Sequence, residues 1–190
     1  RYHTRHHLDI VQSDAFELLD LLADLYDEPY ADSSAIPTYR VCQLARQHVT
    51  VALSGDGGDE SFAGYRRYRR HLGEERLRQA LPHAIRRPLF GVLGRVYPKA
   101  DWAPRMFRAK TTFQALARDT AQAYFHAVSI LRDEMREQLF SPALTRALGG
   151  YQAVDIFRRQ AAAAGQDDPL AIVQYIDTTT YLVGDINTKV

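Results

Sequence analysis

The first third of the chain alternates apolar segments at helical spacing with polar segments. Leucines follow Ser13, a residue type that caps helix N-termini, and their stripe stops near Tyr26. Residues 27–39 contain two prolines and several small polar side chains, which predicts a loop, and Tyr39–Gln47 returns to helical spacing. We expect a short strand in the first ten residues. The predicted order is therefore strand, helix, loop and helix.

The next segment, Val49–Leu53, is short, rich in β-branched side chains and apolar on both faces. Such a segment is typical of a strand inside a parallel sheet that helices cover on both sides. Beyond Tyr65 the pattern is helical nearly everywhere. Helix breaks are predicted at Pro82, Pro88, Pro98, Pro104, Pro142, Gly149–Gly150 and Asp167–Pro169. Few strands are evident, so these residues do not make a complete doubly wound sheet.

Length and composition place the chain among ordinary globular proteins. Its 190 residues, 46% of them hydrophobic, suffice for one sizeable core. No apolar run approaches the roughly 20 residues that span a bilayer, and the first residues lack the apolar stretch of a signal peptide. The single cysteine, Cys42, fits a reducing compartment, and we expect it at a buried helix position rather than as a nucleophile. These features predict a cytoplasmic protein with no membrane partner.

The net charge of +1 hides an uneven distribution along the chain. Residues 1–60 hold 4 Lys or Arg against 11 Asp or Glu, whereas residues 66–110 hold 13 against 3. A basic segment attracts nucleic acid, anionic membranes or phosphorylated substrates, but arginine-rich helix surfaces are commonly just solvated faces. We favour the solvated face and expect no nucleic-acid partner.

The segment Ser54–Glu60, with the sequence SGDGGDE, carries the clearest chemistry. Its glycines let backbone N–H groups approach an anion, and Ser54 adds a hydroxyl. Asp56, Asp59 and Glu60 would repel a bare phosphate unless a hard cation such as Mg²⁺ lies between them. The segment therefore predicts a Mg-nucleotide site at the end of the predicted strand. A surface turn with solvated acids has similar residues, and the Gly-Lys-Ser/Thr ending of a Walker A loop is absent.

Three stretches of the chain resemble the synthetase domain of asparagine synthase-like amidotransferases, a family that includes the glutamine-hydrolysing asparagine synthetases. They are YDEPYADSSAIPTY, VTVALSGDGGDESFAGYRRY and YLVGDINTKV, in the order and approximate separation seen in that family. The resemblance is strong up to about Arg70 and at the end of the chain, and weak through the helical stretch between. DSSAIPTY and LSGDGGDE look closest to the bacterial amidotransferases of the family.

The resemblance implies an α/β fold class. We expect residues 1–64 to form a partial Rossmann-like layer of the ATP pyrophosphatase type (adenine nucleotide alpha hydrolase-like), followed by a mainly helical region over residues 65–190. Both would belong to one synthetase domain of a longer protein, because the family's pyrophosphate loop and its glutaminase domain have no counterpart in these residues. Alone, the chain is expected to be inactive and to be marginally stable or to form a homo-oligomer through unpaired strand edges.

The activity that the resemblance implies is ATP-dependent amide synthesis with Mg²⁺. A substrate carboxylate attacks the α-phosphate of ATP to give an acyl-adenylate, and ammonia from a glutaminase domain then displaces AMP. Which carboxylate is amidated stays open. By position in the motif, the nucleotide-binding residues are Ser54, Gly55 and Gly57, and the metal-binding residues are Asp59 and Glu60.

Two further residues match catalytic positions of the family. Asp56 matches an acid that orients the intermediate, and Lys189 matches a lysine that neutralises charge at the reacting phosphates. Asp185 lies four residues before Lys189 on the same helical face and is expected to hold it through an i,i+4 pair. Ser61 departs from the large apolar residue expected between GGDE and FAGY.

The sequence also fits several alternative functions. The chain would also fit a non-catalytic Mg-nucleotide-binding module, or a helical binder of anionic partners through residues 66–110. Tyr65 and Tyr68, among four arginines, fit either a packed helix surface or stacking on a nucleotide. A metal site at His3, His6 and His7 is not expected, because no cysteine or acid shares a ligand spacing with them. The polar residues Asp27, Glu28, Asp32, Ser33 and Ser34 fit an exposed loop or a loop near the nucleotide.

Overall fold

All regular secondary structure in the described part of the chain is helical. The structure is a computed structural model that describes residues 4–8, 10, 18–27, 30, 32–98 and 109–190, apart from the side chain of Glu134. The α-helices are α1 (Leu18–Tyr26), α2 (Ala35–Arg46), α3 (Gly58–Phe62), α4 (Arg66–Ala80), α5 (His83–Val96), α6 (Lys110–Leu116), α7 (Thr120–Val128), α8 (Asp133–Leu139), α9 (Pro142–Ala147), α10 (Val154–Ala163) and α11 (Pro169–Asp177). A π-helical segment, Thr178–Ile186, and a 3₁₀ turn, Asn187–Lys189, follow.

The chain divides into two compact units. Unit 1 combines the two ends, Arg1–Gly57 and Thr180–Val190, and unit 2 is the continuous segment Gly58–Thr179. In unit 1, Leu18 and Leu22 lie one turn apart on α1 and bury one face of that helix against Ala35 at the start of α2.

Unit 2 is a helical assembly whose core lies between α4, α7 and α11. The buried residues of this core are Tyr68, Tyr124, Val173 and Ile176. Helix α10 packs against both α7 and α11, and α5 packs against α6. Asp119 and Asp168 cap α7 and α11, since their carboxylates accept hydrogen bonds from backbone N–H groups of the first turn.

The predicted α/β layer over residues 1–64 is wrong. Val49–Leu53 is irregular and exposed, with Val51 78% and Leu53 99% accessible, and no strand occurs among the described residues. A β-strand requires a neighbouring strand to satisfy its backbone N–H and C=O groups. The described residues supply none, so apolar, β-branched composition alone does not make this segment a strand. The mainly helical region predicted from residue 65 onward is observed.

Other expectations for the first unit have mixed outcomes. α1 ends at Tyr26 as predicted, whereas its predicted cap, Ser13, lies outside the described residues. Residues 4–8 and 10 form no strand. The predicted loop ends early because α2 begins at Ala35, which places Pro37 in the first turn, where its missing N–H costs no hydrogen bond. Cys42 lies on α2 as expected but is exposed rather than buried.

In unit 2 most predicted helix breaks are observed. Helices end before or begin after Pro82, Pro98, Pro142, Gly149–Gly150 and Asp167–Pro169, whereas Pro104 lies outside the described residues. Pro88 instead lies inside α5. An internal proline removes one helix hydrogen bond at a cost of about 3 kcal/mol. Helix α5 packs against α6, and the rings of Phe90 and Phe113 stack with their centroids 5.8 Å apart. This packing offsets part of the cost of Pro88.

Candidate functional site

The segment Ser54–Gly57 forms an exposed turn at the end of the first part of unit 1. The Ser54 hydroxyl donates a hydrogen bond of 2.7 Å to Oδ2 of Asp56, and the backbone N–H of Asp56 lies 3.4 Å from the Ser54 Oγ. Gly57 has a φ of +82°, which an L side chain rarely adopts. The segment therefore makes a tight turn whose Ser54 hydroxyl, Gly55 backbone and Asp56 carboxylate face solvent.

The last two residues of the motif belong to α3 in unit 2 and have opposite environments. Asp59 is exposed in the first turn of the helix. Glu60 is only 1% exposed, and its Oε1 accepts a hydrogen bond of 2.7 Å from the Tyr65 hydroxyl. Its Oε2 has no hydrogen-bond partner among the described residues. The side-chain amide of Gln174 donates to the backbone oxygens of Glu60 and Ser61, at 2.6 and 3.1 Å, and so fixes α3.

A second polar centre lies in unit 1 around the ammonium of Lys189. Its Nζ donates to Asp32 Oδ2 at 2.6 Å, to Ser34 Oγ at 2.8 Å and to Asp185 Oδ2 at 3.0 Å. The Tyr30 hydroxyl donates to Oδ1 of Asp185 at 2.6 Å, and the side chain of Lys189 is 6% exposed. Three acceptors match the three donor hydrogens of an ammonium group. The lysine is therefore held rigidly at a position that two distant parts of the sequence define.

Local backbone structure explains how each group reaches Lys189. The Asp32 carboxylate accepts a hydrogen bond of 2.8 Å from the backbone N–H of Ser34, a turn typical of Asp immediately before a helix. This turn holds the Asp32 and Ser34 side chains at the start of α2, where both accept a hydrogen bond from Lys189. Asp185 is four residues before Lys189 and forms the predicted i,i+4 pair with it.

Hydrogen bonds within the cluster stabilise the charged forms of Lys189 and Asp32. Burial alone would lower the pKa of Lys189, but its hydrogen bonds to Asp32 and Asp185 outweigh burial, and the pKa is raised. The hydrogen bond from Lys189 holds the pKa of Asp32 well below its usual range, with help from the backbone N–H of Ser34. Burial, together with the hydrogen bond to Asp185, raises the pKa of Tyr30. At neutral pH Lys189 is therefore an ammonium, Asp32 a carboxylate and Tyr30 a neutral phenol.

The predicted site residues are brought together only in part. Among the described residues, Lys189 forms no hydrogen bond with Ser54–Gly57, although the side chain of Leu182 lies 3.5 Å from the position that a Cβ on Gly57 would occupy.

No group of three or more His, Cys, Asp or Glu side chains in the described residues is arranged to hold a metal ion. His7 stacks on His48 at 3.7 Å, and His3 lies outside the described residues.

Comparison with known protein families identifies the chain. The asparagine synthase family model matches residues 1–189. The chain belongs to the asparagine synthase family. No solved structure matches it, and no helix in its described residues is both long and apolar enough to cross a membrane.

Curated relatives of this asparagine synthase-family chain carry similar names. It is 36% identical over 138 residues to a putative glutamine-hydrolysing asparagine synthetase of Methanocaldococcus jannaschii. The matched residues make up 71% of the chain and 25% of that relative. The chain is 30% identical over 167 residues to asparagine synthetase 1 of Bacillus subtilis, covering 86% of the chain and 24% of the relative. A putative asparagine synthetase of Mycobacterium bovis is 33% identical over 189 residues, covering 97% of the chain and 27% of the relative. The chain thus spans about a quarter of the length of these relatives.

Sequence reasoning missed one buried polar centre of this family member, around Asp177 in unit 2. Oδ2 of Asp177 accepts hydrogen bonds from Arg67 Nη2 and the Tyr68 hydroxyl, both at 2.7 Å, and from the Tyr124 hydroxyl. The guanidinium of Arg67 also stacks 3.6 Å above the ring of Tyr65. The signal for this centre was an acid at position 177 on the same helical face as the apolar Val173.

The centre around Asp177 shows which role the basic aromatic segment of α4 has. Burial raises the pKa of both Tyr68 and Tyr124, and the bond to Asp177 adds to that increase. Tyr68 is 1% exposed, so its ring belongs to the core of unit 2 and presents no surface for a nucleotide to stack on. Arg67 and the two tyrosines therefore stabilise the helices that flank α3.

Proposed function

We propose that this chain is part of a longer enzyme that forms an amide from a carboxylate with ATP, through an acyl-adenylate and release of pyrophosphate. Family membership supports amide synthesis. The observation that carries the finer proposal is the fixed ammonium of Lys189, bonded to Asp32 and Asp185. These hydrogen bonds connect two stretches of the sequence. By the family resemblance, DSSAIPTY is expected near the nucleotide and GDINTKV, which contains Lys189, near the reacting phosphates.

Lys189 would act as a positioned positive charge. Negative charge develops on phosphate oxygens as a carboxylate displaces pyrophosphate, and a preorganised ammonium stabilises that charge without rearranging during the reaction. Its three acceptors hold Nζ in place, and one of them, the neutral Ser34 hydroxyl, is the weakest of the three and the one that a phosphate oxygen would replace most readily. Asp32 and Asp185 are thus positioning residues in this proposal.

The turn Ser54–Gly57 would bind the nucleotide. Its hydroxyl, its backbone and the Asp56 carboxylate are exposed, so these groups are free to meet a ligand from solvent. Mg²⁺ in nucleotide enzymes is commonly held by one or two carboxylates together with substrate phosphates. The exposed Asp59 fits that arrangement, whereas an all-protein metal cage has no donor set among the described residues. When bound, Mg²⁺ would neutralise phosphate charge. Glu60 stays a predicted supporting ligand.

A longer parent protein also agrees with the surface of unit 1. Val49, Val51 and Leu53 are apolar and 46%, 78% and 99% exposed. Burying such side chains contributes about 1.5–3 kcal/mol each. We propose that further residues of the parent protein cover this segment, and that the isolated chain releases no pyrophosphate from ATP.

The basic segment 66–110 offers less support for an anionic macromolecular partner. Arg78 and Arg86 are 7% and 6% exposed, and both donate hydrogen bonds to backbone oxygens near the end of α6. Arg67 is bonded to Asp177. Part of the positive charge in this segment therefore stabilises unit 2 from within.

The test compares two lysine substitutions in the parent protein. Pyrophosphate release and AMP formation are measured with ATP, Mg²⁺, glutamine and aspartate as the first carboxylate probe. Lys189→Met is expected to lower the rate by about 100-fold or more, the usual effect of removing one preorganised donor. The matched control is Lys110→Met on α6, half-buried in unit 2, which should stay near the wild-type rate. Equal rates for both variants would contradict the role of Lys189.

A binding experiment separates the nucleotide turn from the chemistry. Calorimetry on the chain with Mg²⁺ and ATP is expected to give weak binding that the double variant Asp56→Ala, Asp59→Ala abolishes. Binding that survives this double substitution would place the nucleotide elsewhere.

A further inference from the structure

Unit 2 contains a pocket that is separate from every residue assigned above. It lies between α5 and the segment from α6 to the start of α7, and its volume is about 590 Å³. Pockets that bind small molecules have volumes of about 300–1,000 Å³. The pocket is therefore large enough for a metabolite-sized ligand.

Two glycines of α5 explain why the pocket exists. A Cβ on Gly94 would lie 3.0 Å from Cγ of Gln114, so this glycine allows α5 and α6 to approach closely. Gly91 lines the pocket one turn earlier, and no atom lies within 4 Å of the position of its missing Cβ. The close approach at one glycine and the absent side chain at the other leave a gap beside the helix contact.

The lining of the pocket is positively charged. Among the described residues, the lining includes Arg87, Arg95 and Arg118 but no Asp or Glu. Arg118 donates a hydrogen bond of 2.7 Å to the backbone oxygen of Gln114. The adjacent acid in the sequence, Asp119, caps α7 by accepting a hydrogen bond of 2.7 Å from the backbone N–H of Gln122. Three guanidinium groups around one cavity favour an anion, because guanidinium matches the geometry of carboxylate and phosphate.

Gln114, one of the residues that line the pocket, has a side-chain acceptor that lacks a donor in the described part of the chain. Oε1 of Gln114 is buried and has no hydrogen-bond partner among the described residues. Leaving a buried oxygen unbonded is unfavourable, so a ligand that brings an O–H or N–H group to Gln114 would gain from that contact. The ring of Phe90, also in the lining, supplies apolar contact.

We propose that this pocket binds a small anionic molecule, one that carries a carboxylate or phosphate group together with a hydrogen-bond donor. Arg87 and Arg95, both exposed at the mouth of the pocket, would bind the anion, and Gln114 would accept the hydrogen bond from the donor. This site is independent of the proposed amide synthesis, since it uses none of the residues assigned to that reaction.

The test uses inorganic phosphate and citrate, both of which carry a hydroxyl donor. Binding is measured by calorimetry on the full chain, and protection of Arg87 and Arg95 from phenylglyoxal is measured by mass spectrometry. Binding of phosphate alone or of citrate alone identifies the anionic group that the site selects. We expect at least one probe to bind and to protect both arginines. Absence of binding by both probes to the folded chain overturns the proposal.

Two pairs of variants locate the binding. Gly91→Leu fills the pocket and should abolish binding, whereas Gly73→Leu, at an open glycine on α4, should leave it unchanged.

Arg87→Gln with Arg95→Gln should weaken binding by about tenfold or more. Removing the same charge from α4, through Arg69→Gln with Arg76→Gln, is the control for general electrostatic attraction. Circular dichroism verifies that each variant keeps its helices. Equal losses in the two arginine pairs, or binding that persists in Gly91→Leu, would overturn the assignment to this pocket.

Discussion

Four donor atoms converge on a single oxygen of Asp177, which is 1% exposed in the core of unit 2. They are Nε and Nη2 of Arg67 and the hydroxyls of Tyr68 and Tyr124. A buried ion pair contributes less than its Coulomb energy suggests because both charges lose hydration. Removing Asp177 is costly, since the buried hydroxyls of Tyr68 and Tyr124 lose their acceptor and Arg67, whose side chain is 28% exposed, loses its ion-pair partner.

Asp177→Ala should therefore destabilise unit 2 by about 3–5 kcal/mol. Tyr124→Phe removes one of the four donors and should cost only about 1 kcal/mol. The matched control is Asp155→Ala on α10, which breaks the exposed pair with Arg158 and should cost less than about 1 kcal/mol. Urea denaturation followed by circular dichroism measures all three. A loss for Asp177→Ala no larger than that for Asp155→Ala would show that the centre adds little stability.

At this same scale, spacing along the chain predicted some contacts and not others. The pair of Asp185 and Lys189 followed from a separation of four residues on a helical face. The bond from Lys189 to Asp32 joins residues 157 positions apart, so no local pattern reveals it. Likewise, the burial of Glu60 depends on Tyr65 and on the packing of α11 through Gln174, which the motif alone does not reveal.

At the scale of elements, the turn at Gly57 gives the clearest test of backbone geometry. Its φ of +82° costs an L-residue about 1–2 kcal/mol, whereas the nearest side chain, Leu182, is far enough away to accept a methyl group. Gly57→Ala should thus destabilise unit 1 by about 1–2 kcal/mol through backbone strain. Gly55→Ala is the control, because its φ is not positive and no atom lies within 4 Å of the new Cβ.

Thermal unfolding measures the two glycine variants side by side. D-alanine at position 57, introduced by semisynthesis, favours positive φ and should restore the stability that L-alanine loses. Equal effects of L-alanine at positions 55 and 57 would contradict the strain that we assign to this turn.

Helices were more predictable than the two proposed strands for a physical reason. A helix such as α1 or α4 satisfies its backbone within its own segment, so local periodicity predicts it. A strand at Val49–Leu53 depends on partners elsewhere, and the described residues provide none. The helical character of Thr178–Ile186 was predicted, but its π-helical form was not. Its only signal is the run of threonines: the hydroxyls of Thr178 and Thr179 bond to the backbone oxygens of Gln174 and Tyr175, each at 2.8 Å.

At the scale of the whole molecule, the two units differ in how they handle charge. In unit 1, the carboxylates of Asp32 and Asp185 pair with Lys189 at one polar centre. Unit 2 instead places charged groups in its core, including Glu74 and Glu75 paired with Arg78 along α4. Such buried pairs make the stability of unit 2 sensitive to protonation of their neighbours.

The most specific consequence concerns His71, which is 3% exposed on α4. Burial lowers its pKa to about 4, Glu75 partly opposes this change, and Arg78 adds to it. Its ring packs edge-on against Tyr124 at 5.3 Å, and Nε2 lies 3.7 Å from Oε1 of Glu75. In the unfolded chain a histidine has a pKa of about 6.5. Between these values the unfolded state binds more protons, so the folded state loses stability as the pH falls.

The free energy of unfolding of unit 2 should therefore be largest above pH 6.5 and fall by up to about 3 kcal/mol towards pH 4 through His71 alone. His71→Phe keeps an aromatic ring beside Tyr124 but cannot be protonated, so it should remove this part of the slope. His83→Phe, at an exposed position of α5, is the matched control and should keep the wild-type slope. Denaturant titrations at several pH values from 4 to 8 provide the measurement. If His71→Phe and wild type have parallel profiles, the acid sensitivity of unit 2 arises from its carboxylates rather than from protonation of this buried ring.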